Sequence, residues 1–194
     1  MPQSRSGVRA QHFRRRLATL VVALTLASAG LAGHAAPAQA GVWQFADGFE
    51  VNPAAAWSFD GAGTHYGGFG HDFGSPRSGQ QLAWANVWSQ GGFSSVGRQV
   101  RLPRTPSATF GCTARVYLLS ASDSLINIEV IDPTTFTYVA FRQVRADINW
   151  RAFSVPTWRH GPATVLIRVS VLRGPQVDWD DRMMVDDLAV SCVY

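Results

Sequence analysis

Residues 109–119 read TFGCTARVYLL, and this stretch decides the fold of the 194-residue chain. From Cys112 to Leu118, small or apolar residues occupy every second position, with polar or amphipathic residues between them. A period of two puts alternate side chains on opposite faces of an extended backbone. The pattern therefore predicts a β-strand with one face packed on a core.

The neighbouring stretches are also short and either apolar or alternating, and Gly, Pro, Asn and Ser separate them. Residues 132–135, Asp-Pro-Thr-Thr, are a turn signal and predict a hairpin between the stretches that flank them. Strands are predicted at 82–88, 95–102, 109–119, 125–131, 136–144, 150–155, 164–172 and 184–193. No stretch predicts a convincing helix. About eight or nine short strands at this spacing predict an all-β fold, a β-sandwich of the jelly-roll type.

Residues 57–79 depart from this pattern because glycine and aromatic residues dominate them, with seven glycines between Gly61 and Gly79. The segment is too long and too irregular for a turn. Segments of this kind run over the surface of a domain, and they often carry its function. The sequence therefore predicts one long surface loop here, or several.

The first forty residues are typical of an export signal. Residues 1–16 hold five arginines and no acid, and residues 17–32 are apolar. Residues 38–40 are Ala-Gln-Ala, which places a small residue at each of the two positions that a signal peptidase recognises. A membrane anchor would need ~20 strongly apolar residues, so cleavage is the favoured alternative. We predict a signal peptide at 1–40, cleaved after Ala40, and a secreted, extracellular domain at 41–194 with no membrane insertion.

Removal of the signal changes the charge of the chain. Residues 41–194 keep 12 of the 17 arginines and all 13 acids, which gives a net charge of −1. The basic balance of the precursor is therefore no argument for nucleic acid as a partner. The two cysteines, Cys112 and Cys192, are predicted to pair, as is usual in exported proteins. Their Cα atoms would then lie within ~7 Å, which brings the last strand beside the strand of Cys112.

Several short motifs follow one another in a recognisable order along the predicted domain. They are Asp47-Gly48-Phe49-Glu50, Trp57, Ser78-Gly79, Trp150 and the stretch MVDDLAV at 184–190. This order resembles extracellular carbohydrate-binding modules with the galactose-binding-like jelly roll, the group found beside bacterial cellulases and xylanases. The resemblance implies a non-catalytic domain that binds a polysaccharide or glycan, and it implies structural roles for Trp57 and Trp150. We expect a monomer.

The aromatic residues suggest where a sugar would bind. Sugar rings stack on flat aromatic faces, and their hydroxyls bond to planar polar side chains. Trp84 and Trp88 are four residues apart with Asn86 between them, so all three share one face of a predicted strand. That row lines either the core or a glycan-binding groove. Tyr66 in the glycine-rich segment and Trp158 in a predicted turn complete the predicted carbohydrate-binding set.

Acidic residues near the two ends of the domain predict a metal site. Oxygen ligands suit Ca²⁺, which takes six to eight of them. In the modules that this chain resembles, the Phe-Glu glutamate and the closing aspartate pair often hold a structural calcium. The resemblance implies Glu50 with Asp186 or Asp187 as ligands, and Asp47 as a further one. Pairing of these acids with Arg182 or another arginine is the alternative.

Two other classes of function are alternatives to glycan binding. A glycosidase needs two carboxylates about 5–9.5 Å apart, and Glu129 with Asp147 is the pair that the sequence offers. No Gly-x-Ser-x-Gly nucleophile motif is present, so catalysis is disfavoured. A protein-binding or structural β-sandwich is the stronger alternative, because the fold alone does not choose between ligands. Exposed aromatics beside polar groups would favour glycan, and a flat apolar patch would favour protein.

Overall fold

The computed structural model describes residues 41–71, 73–103, 111–121, 124–159, 162–174 and 181–193. The predicted signal peptide at 1–40 lies outside the described residues. Eleven strands are found in the described part: β1 Val42–Asp47, β2 Trp57–Ala62, β3 His65–Gly70, β4 Leu82–Val87, β5 Phe93–Arg101, β6 Gly111–Leu119, β7 Leu125–Ile131, β8 Tyr138–Arg145, β9 Arg151–Ser154, β10 Thr164–Leu172 and β11 Asp181–Val193. A four-residue helix, α1 Pro53–Ala56, connects β1 to β2.

The strands form two antiparallel sheets. The six-stranded sheet has the order β3-β4-β11-β6-β9, with β1 also paired to β11, and the five-stranded sheet has the order β2-β5-β10-β7-β8. The predicted all-β sandwich of the jelly-roll type is confirmed, with more strands than the sequence indicated. Among the described residues, no helix has the length and apolar character that a bilayer crossing requires.

The core lies between the sheets and follows the period of two. The alternating residues Cys112, Ala114, Val116 and Leu118 of β6 are all fully buried, as predicted. On the opposite sheet, alternate residues of β7 from Ile126 to Val130 point into the same core. The hairpin predicted around 132–135 joins β7 to β8, and the Asp132 carboxylate accepts the N–H of Thr134 at 2.8 Å.

Strand β11 organises the six-stranded sheet because it pairs with three others. Its first part pairs with β4, its second part pairs with β1, and β6 runs along its other edge. The pairing with β6 shifts register after Asp186, where Asp187 adopts a left-handed backbone with φ 49°. Such a bulge re-aims a side chain, and here it turns the Asp187 carboxylate towards the loop before β4.

The predicted disulfide between Cys112 and Cys192 is confirmed. The two residues lie directly opposite each other in the β6–β11 pair, with their Cα atoms 4.0 Å apart. The bond closes a loop with a sequence separation of 80. In the chain-entropy model, a loop of this size stabilises the fold by ~4 kcal/mol.

The prediction of a surface loop over 57–79 is wrong for its first part, since β2 and β3 lie within it. The glycines of β3 are the reason. A Cβ at Gly67 would overlap the Phe59 ring, and a Cβ at Gly68 would lie 2.9 Å from the Trp84 ring. Glycine here permits close packing of aromatic rings on a strand, although the same composition is more typical of a loop.

Candidate functional site

An open groove crosses the outer face of the six-stranded sheet, over β3, β4 and the start of β11. Its volume is about 570 Å³. We call it the aromatic groove, and it is lined by Thr64, Tyr66, Phe73, Trp84, Asn86, Trp88 and Arg182. Four of the five residues predicted to contact a sugar therefore lie together in one groove.

The alternation of β4 explains why this row faces outwards. Ala83, Ala85 and Val87 point into the core, which turns Trp84 and Asn86 to the opposite face. Trp88 follows the strand and is 53% exposed, and Tyr66 lies opposite Asn86 on β3 and is 57% exposed. Of the two alternatives that the sequence left open for the row, the position on the outer face is the one observed.

Three residues that were not predicted from the sequence complete the groove: Thr64, Phe73 and Arg182. The Phe73 ring meets the Trp84 ring edge-on, with centroids 4.4 Å apart. The guanidinium carbon of Arg182 lies 4.0 Å from the centroid of Phe73. These contacts place a guanidinium and two aromatic rings next to one another along one wall of the groove. Phe73 belongs to the glycine-rich segment, and the aromatic content of that segment is the sequence feature that could have indicated Phe73 as a groove residue.

Trp158, which was predicted to lie in a turn and to contact a sugar, lies outside the aromatic groove. Its side chain is only 4% exposed and belongs to the hydrophobic core. The backbone of Trp158 exchanges two hydrogen bonds with Cys112, N to O at 2.9 Å and 2.8 Å, which extends the sheet beside β6. This bridge turns the indole inwards, and a turn signal in the sequence does not reveal such a bridge.

The outer face of the five-stranded sheet carries a second group of interacting side chains, which the sequence analysis did not propose as a binding site. Glu129 is only 2% exposed and forms an ion pair with Arg168 on the neighbouring strand. It also accepts hydrogen bonds from the hydroxyls of Tyr138 at 3.1 Å and Ser170 at 3.2 Å. We call these four residues the polar cluster. The nearby Glu129 carboxylate, together with burial, raises the pKa of Tyr138.

The surroundings of the polar cluster are also paired. The Gln143 amide donates to the Asn127 side-chain oxygen at 2.9 Å, and the rings of Tyr138 and Phe141 lie 5.6 Å apart. Asp147, the suggested catalytic partner of Glu129, forms its own ion pair with Arg151. Each carboxylate of the suggested glycosidase pair is thus matched by its own arginine.

Two of the four predicted calcium ligands are bound to arginine. Asp47 forms an ion pair with Arg98 and accepts the indole N–H of Trp57 at 3.0 Å. Asp187 forms an ion pair with Arg77. The contacts match the arginine alternative for Asp47 and Asp187, although the partners are not Arg182. A guanidinium already supplies the positive charge at both carboxylates, so neither fits a calcium site.

The other two predicted ligands hold the loop before β4. Glu50 Oε1 accepts the backbone N–H groups of Gln80 and Gln81, both at 2.9 Å. Asp186 Oδ2 accepts those of Arg77 and Ser78, at 2.9 and 3.1 Å.

Burial raises the pKa of the Asp186 carboxyl to about 6. Within the described residues, no three Asp, Glu, His or Cys side chains converge on one point. Neither Glu50 nor Asp186 forms an ion pair with an arginine in the described part, so calcium stays a prediction for these two alone.

No family model and no curated protein sequence matches this chain. Solved structures do share its fold. A family 61 carbohydrate-binding module, TmCBM61 in complex with β-1,4-galactotriose, superposes with a TM-score of 0.54 at 14% identity, over 74% of this chain and 92% of that one. The CBM22-1 xylan-binding domain of Paenibacillus barcinonensis Xyn10C gives 0.52 at 12% identity, over 81% and 97%.

A third similar structure has a different described role. The K1 cleaved adhesin domain of Lys-gingipain from Porphyromonas gingivalis W83 superposes with a TM-score of 0.50 at 14% identity, over 76% of this chain and 97% of that one. At these identities the likeness concerns the fold, and a fold serves more than one function. The described part of the chain has the β-sandwich fold of carbohydrate-binding modules, and the resemblance drawn from the sequence is confirmed at that level.

Proposed function

We propose that this protein is a non-catalytic carbohydrate-binding domain whose glycan lies in the aromatic groove. The observation that carries the proposal is the clustering of Tyr66, Trp84 and Trp88 with Asn86 in one open groove on the outer face of a sheet. Flat rings stack on the C–H face of a sugar, and an amide bonds to its hydroxyls. Tyr66, Trp84 and Trp88 supply the aromatic rings, and Asn86, which is only 4% exposed, lines the same groove.

The rigidity of the groove supports the proposal. Trp84 and Asn86 lie on β4, which is hydrogen-bonded on both sides, to β3 and to β11. The backbone N–H of Trp88 donates to the Thr64 carbonyl at 2.9 Å, which ties the end of β4 to the turn before β3. Side chains held by strands lose little conformational entropy when a ligand binds, so less of the contact energy is spent on ordering.

Export is part of the proposal. The disulfide between Cys112 and Cys192 suits an oxidising compartment, and the N-terminal sequence is typical of a cleaved signal. A protein outside the cell would meet polysaccharides directly. Sequencing the N-terminus of the secreted product tests the cleavage, because a mature protein that begins at Gly41 is expected.

The function is tested by retention of the purified protein on insoluble cellulose, xylan, chitin, mannan and β-1,4-galactan. We expect at least one glycan to retain the protein, and we expect Trp88→Ala to weaken that retention roughly tenfold. Phe136→Ala is the matched control, since Phe136 is an exposed ring outside the groove. Retention that survives Trp88→Ala would contradict the proposed location, and failure with every glycan would contradict the function.

Protein binding is the second candidate function, and one surface favours it. Phe136, Tyr138, Phe141 and Ile148 are exposed on and around β8, which is an edge strand of the five-stranded sheet. Unpaired edges with apolar side chains are common sites of protein contact. Failure to bind any glycan, combined with a soluble and folded protein, would favour this alternative.

Calcium is a separate proposal that concerns Glu50 and Asp186. A tightly bound ion stabilises the folded state, so its removal must lower the melting temperature. We therefore expect a lower melting temperature in excess chelator than in calcium, and no such difference in Glu50→Gln. Equal melting temperatures of the unmodified protein in the two buffers would exclude a strongly bound structural ion.

A further inference from the structure

A second groove lies on the same outer face as the aromatic groove, over β1, β11, β6 and β9. Its volume is about 490 Å³. We call it the Arg115 groove; its polar lining residues are Gln44, Thr113, Arg115, Ser154 and Ser191, and the small residues Ala46 and Ala189 also line it. None of these residues belongs to the sites described above.

The strand register brings these side chains into two adjacent rows. Gln44, Ser191 and Thr113 lie opposite one another across three strands. In the next row, Ala189 lies opposite Arg115. Directly opposed side chains on neighbouring strands have Cβ atoms ~5 Å apart, so each row is continuous. Small residues form the floor of the groove, and polar residues surround it.

Arg115 differs from three other arginines of the described part of the chain. Arg77, Arg98 and Arg168 each form an ion pair with a carboxylate. Arg115 is exposed, and its side chain forms no ion pair or hydrogen bond within the described part of the chain. Its guanidinium carbon lies 5.7 Å from the centroid of the Tyr117 ring.

Arg115 is the only charged residue among the described residues that line this groove. It also lines an adjoining hollow with Asp47 and Asp187. Those two carboxylates are each paired with another arginine, so the charge of Arg115 has no carboxylate partner of its own.

The polar side chains around Arg115 are available as well. The side chains of Gln44, Ser154 and Ser191 form no hydrogen bonds within the described residues, whereas the Thr113 hydroxyl donates to the Val155 carbonyl at 3.1 Å. One amide and two hydroxyls thus surround a guanidinium. This set matches a ligand that has several hydroxyls and one anionic group.

We propose that the Arg115 groove binds a sugar unit that carries a carboxylate or a sulfate, independently of the aromatic groove. The planar guanidinium forms paired hydrogen bonds with an anionic group, and these are stronger than bonds between neutral groups. The serine hydroxyls and the Gln44 amide bond to the sugar hydroxyls. Ala46 and Ala189 have small side chains, so the floor of the groove leaves room for the sugar ring.

The test titrates the purified protein with galacturonate trimer, with neutral β-1,4-galactotriose and with a sulfated galactose oligosaccharide, by calorimetry at low salt. We expect at least one anionic probe to bind, and the comparison between them identifies the preferred anion. Arg115→Gln is expected to weaken that binding about tenfold or more, because hydrogen bonds to charged groups are strong. Higher salt is expected to weaken it too.

Two control variants make the result specific. Arg101→Gln removes another exposed arginine, on the five-stranded sheet, and is expected to leave binding of the anionic probe unchanged. Trp88→Ala is also expected to leave it unchanged, which separates this site from the proposed function. Equal losses in Arg115→Gln and Arg101→Gln would overturn the proposal, as would an unchanged affinity in Arg115→Gln or binding of neither anionic probe.

Discussion

The two outer faces of the sandwich differ in whether their central side chains are bonded to one another or exposed to water. On the five-stranded sheet, Glu129 is already bound to Arg168, Ser170 and Tyr138. In the aromatic groove, the rings of Tyr66 and Trp88 are more than half exposed. A ligand that approaches the Glu129 carboxylate must compete with its existing bonds, whereas a ligand in the aromatic groove covers ring surface that is still in contact with water. The difference favours the aromatic groove.

The largest effect is expected from removing the centre of the polar cluster. In Glu129→Ala, the largely buried Arg168 side chain loses its carboxylate partner. Breaking such a pair costs about 3 kcal/mol of unfolding free energy. Denaturant unfolding measures the loss. Asp147→Ala is the matched control, since its pair with Arg151 is exposed and is expected to contribute less than about 1 kcal/mol.

The same variant also tests the comparison between the faces. Glycan retention by folded Glu129→Ala is expected to equal that of the unmodified protein. If retention were lost while the protein remained folded, the polar cluster would be the binding face and the preference for the aromatic groove would be wrong.

A smaller effect is expected from a change beneath the aromatic groove. In Gly68→Ala, the added methyl would lie 2.9 Å from the Trp84 ring, and overpacking of this kind costs about 1–3 kcal/mol. We expect lower stability and weaker glycan retention, although no aromatic residue is removed. Gly97→Ala is the matched control, because its nearest neighbour is the flexible end of Leu166 at 3.2 Å. Unchanged retention in Gly68→Ala would show that the Trp84 position does not matter.

Two tyrosines of similar exposure allow a direct comparison of the faces. Tyr66 belongs to the aromatic groove and Tyr138 to the polar cluster. Tyr66→Ala is expected to weaken glycan affinity about fivefold, in line with a stacking contribution of roughly 1 kcal/mol. Tyr138→Ala is expected to leave it unchanged. Affinity titrations of both variants provide the measurement, and the reverse result would move the site to the other sheet.

The smallest effect concerns the ionisation of Tyr138. Because the Glu129 charge raises its pKa above the ordinary value, Glu129→Gln is expected to lower that pKa, as followed by NMR titration of the ring. A raised pKa favours the neutral phenol in the folded state. This contribution to stability is present below the ordinary tyrosine pKa near 10 and is lost as the pH rises through the folded value. An unchanged pKa in Glu129→Gln would contradict the interaction.

The sequence predicted those elements whose side chains alternate clearly. The strand that carries Cys112 and the placing of Trp84 and Asn86 on one face both follow from a period of two, whereas the choice between the core and the outer face does not. Strands β1, β2 and β3 were missed, and for β3 the reason is that three of its six residues are glycines, which provide no side chain to reveal a period. The bond between Glu129 and Arg168 depends on the register of β7 and β10, which are distant in the chain, and local patterns do not contain that register.

The position of β11 has a consequence for the order of folding events. Strands β1, β4 and β6 all pair with it, so none of them has its full set of sheet neighbours before β11 has been synthesised. Pairings between residues far apart in the chain form slowly, since the intervening chain must first be closed into loops. The six-stranded sheet is therefore expected to assemble late, after translation of β11, and oxidation of Cys112 must wait for the same moment. Until then, the edges of β1, β4 and β6 that β11 covers keep their backbone N–H and C=O groups unpaired.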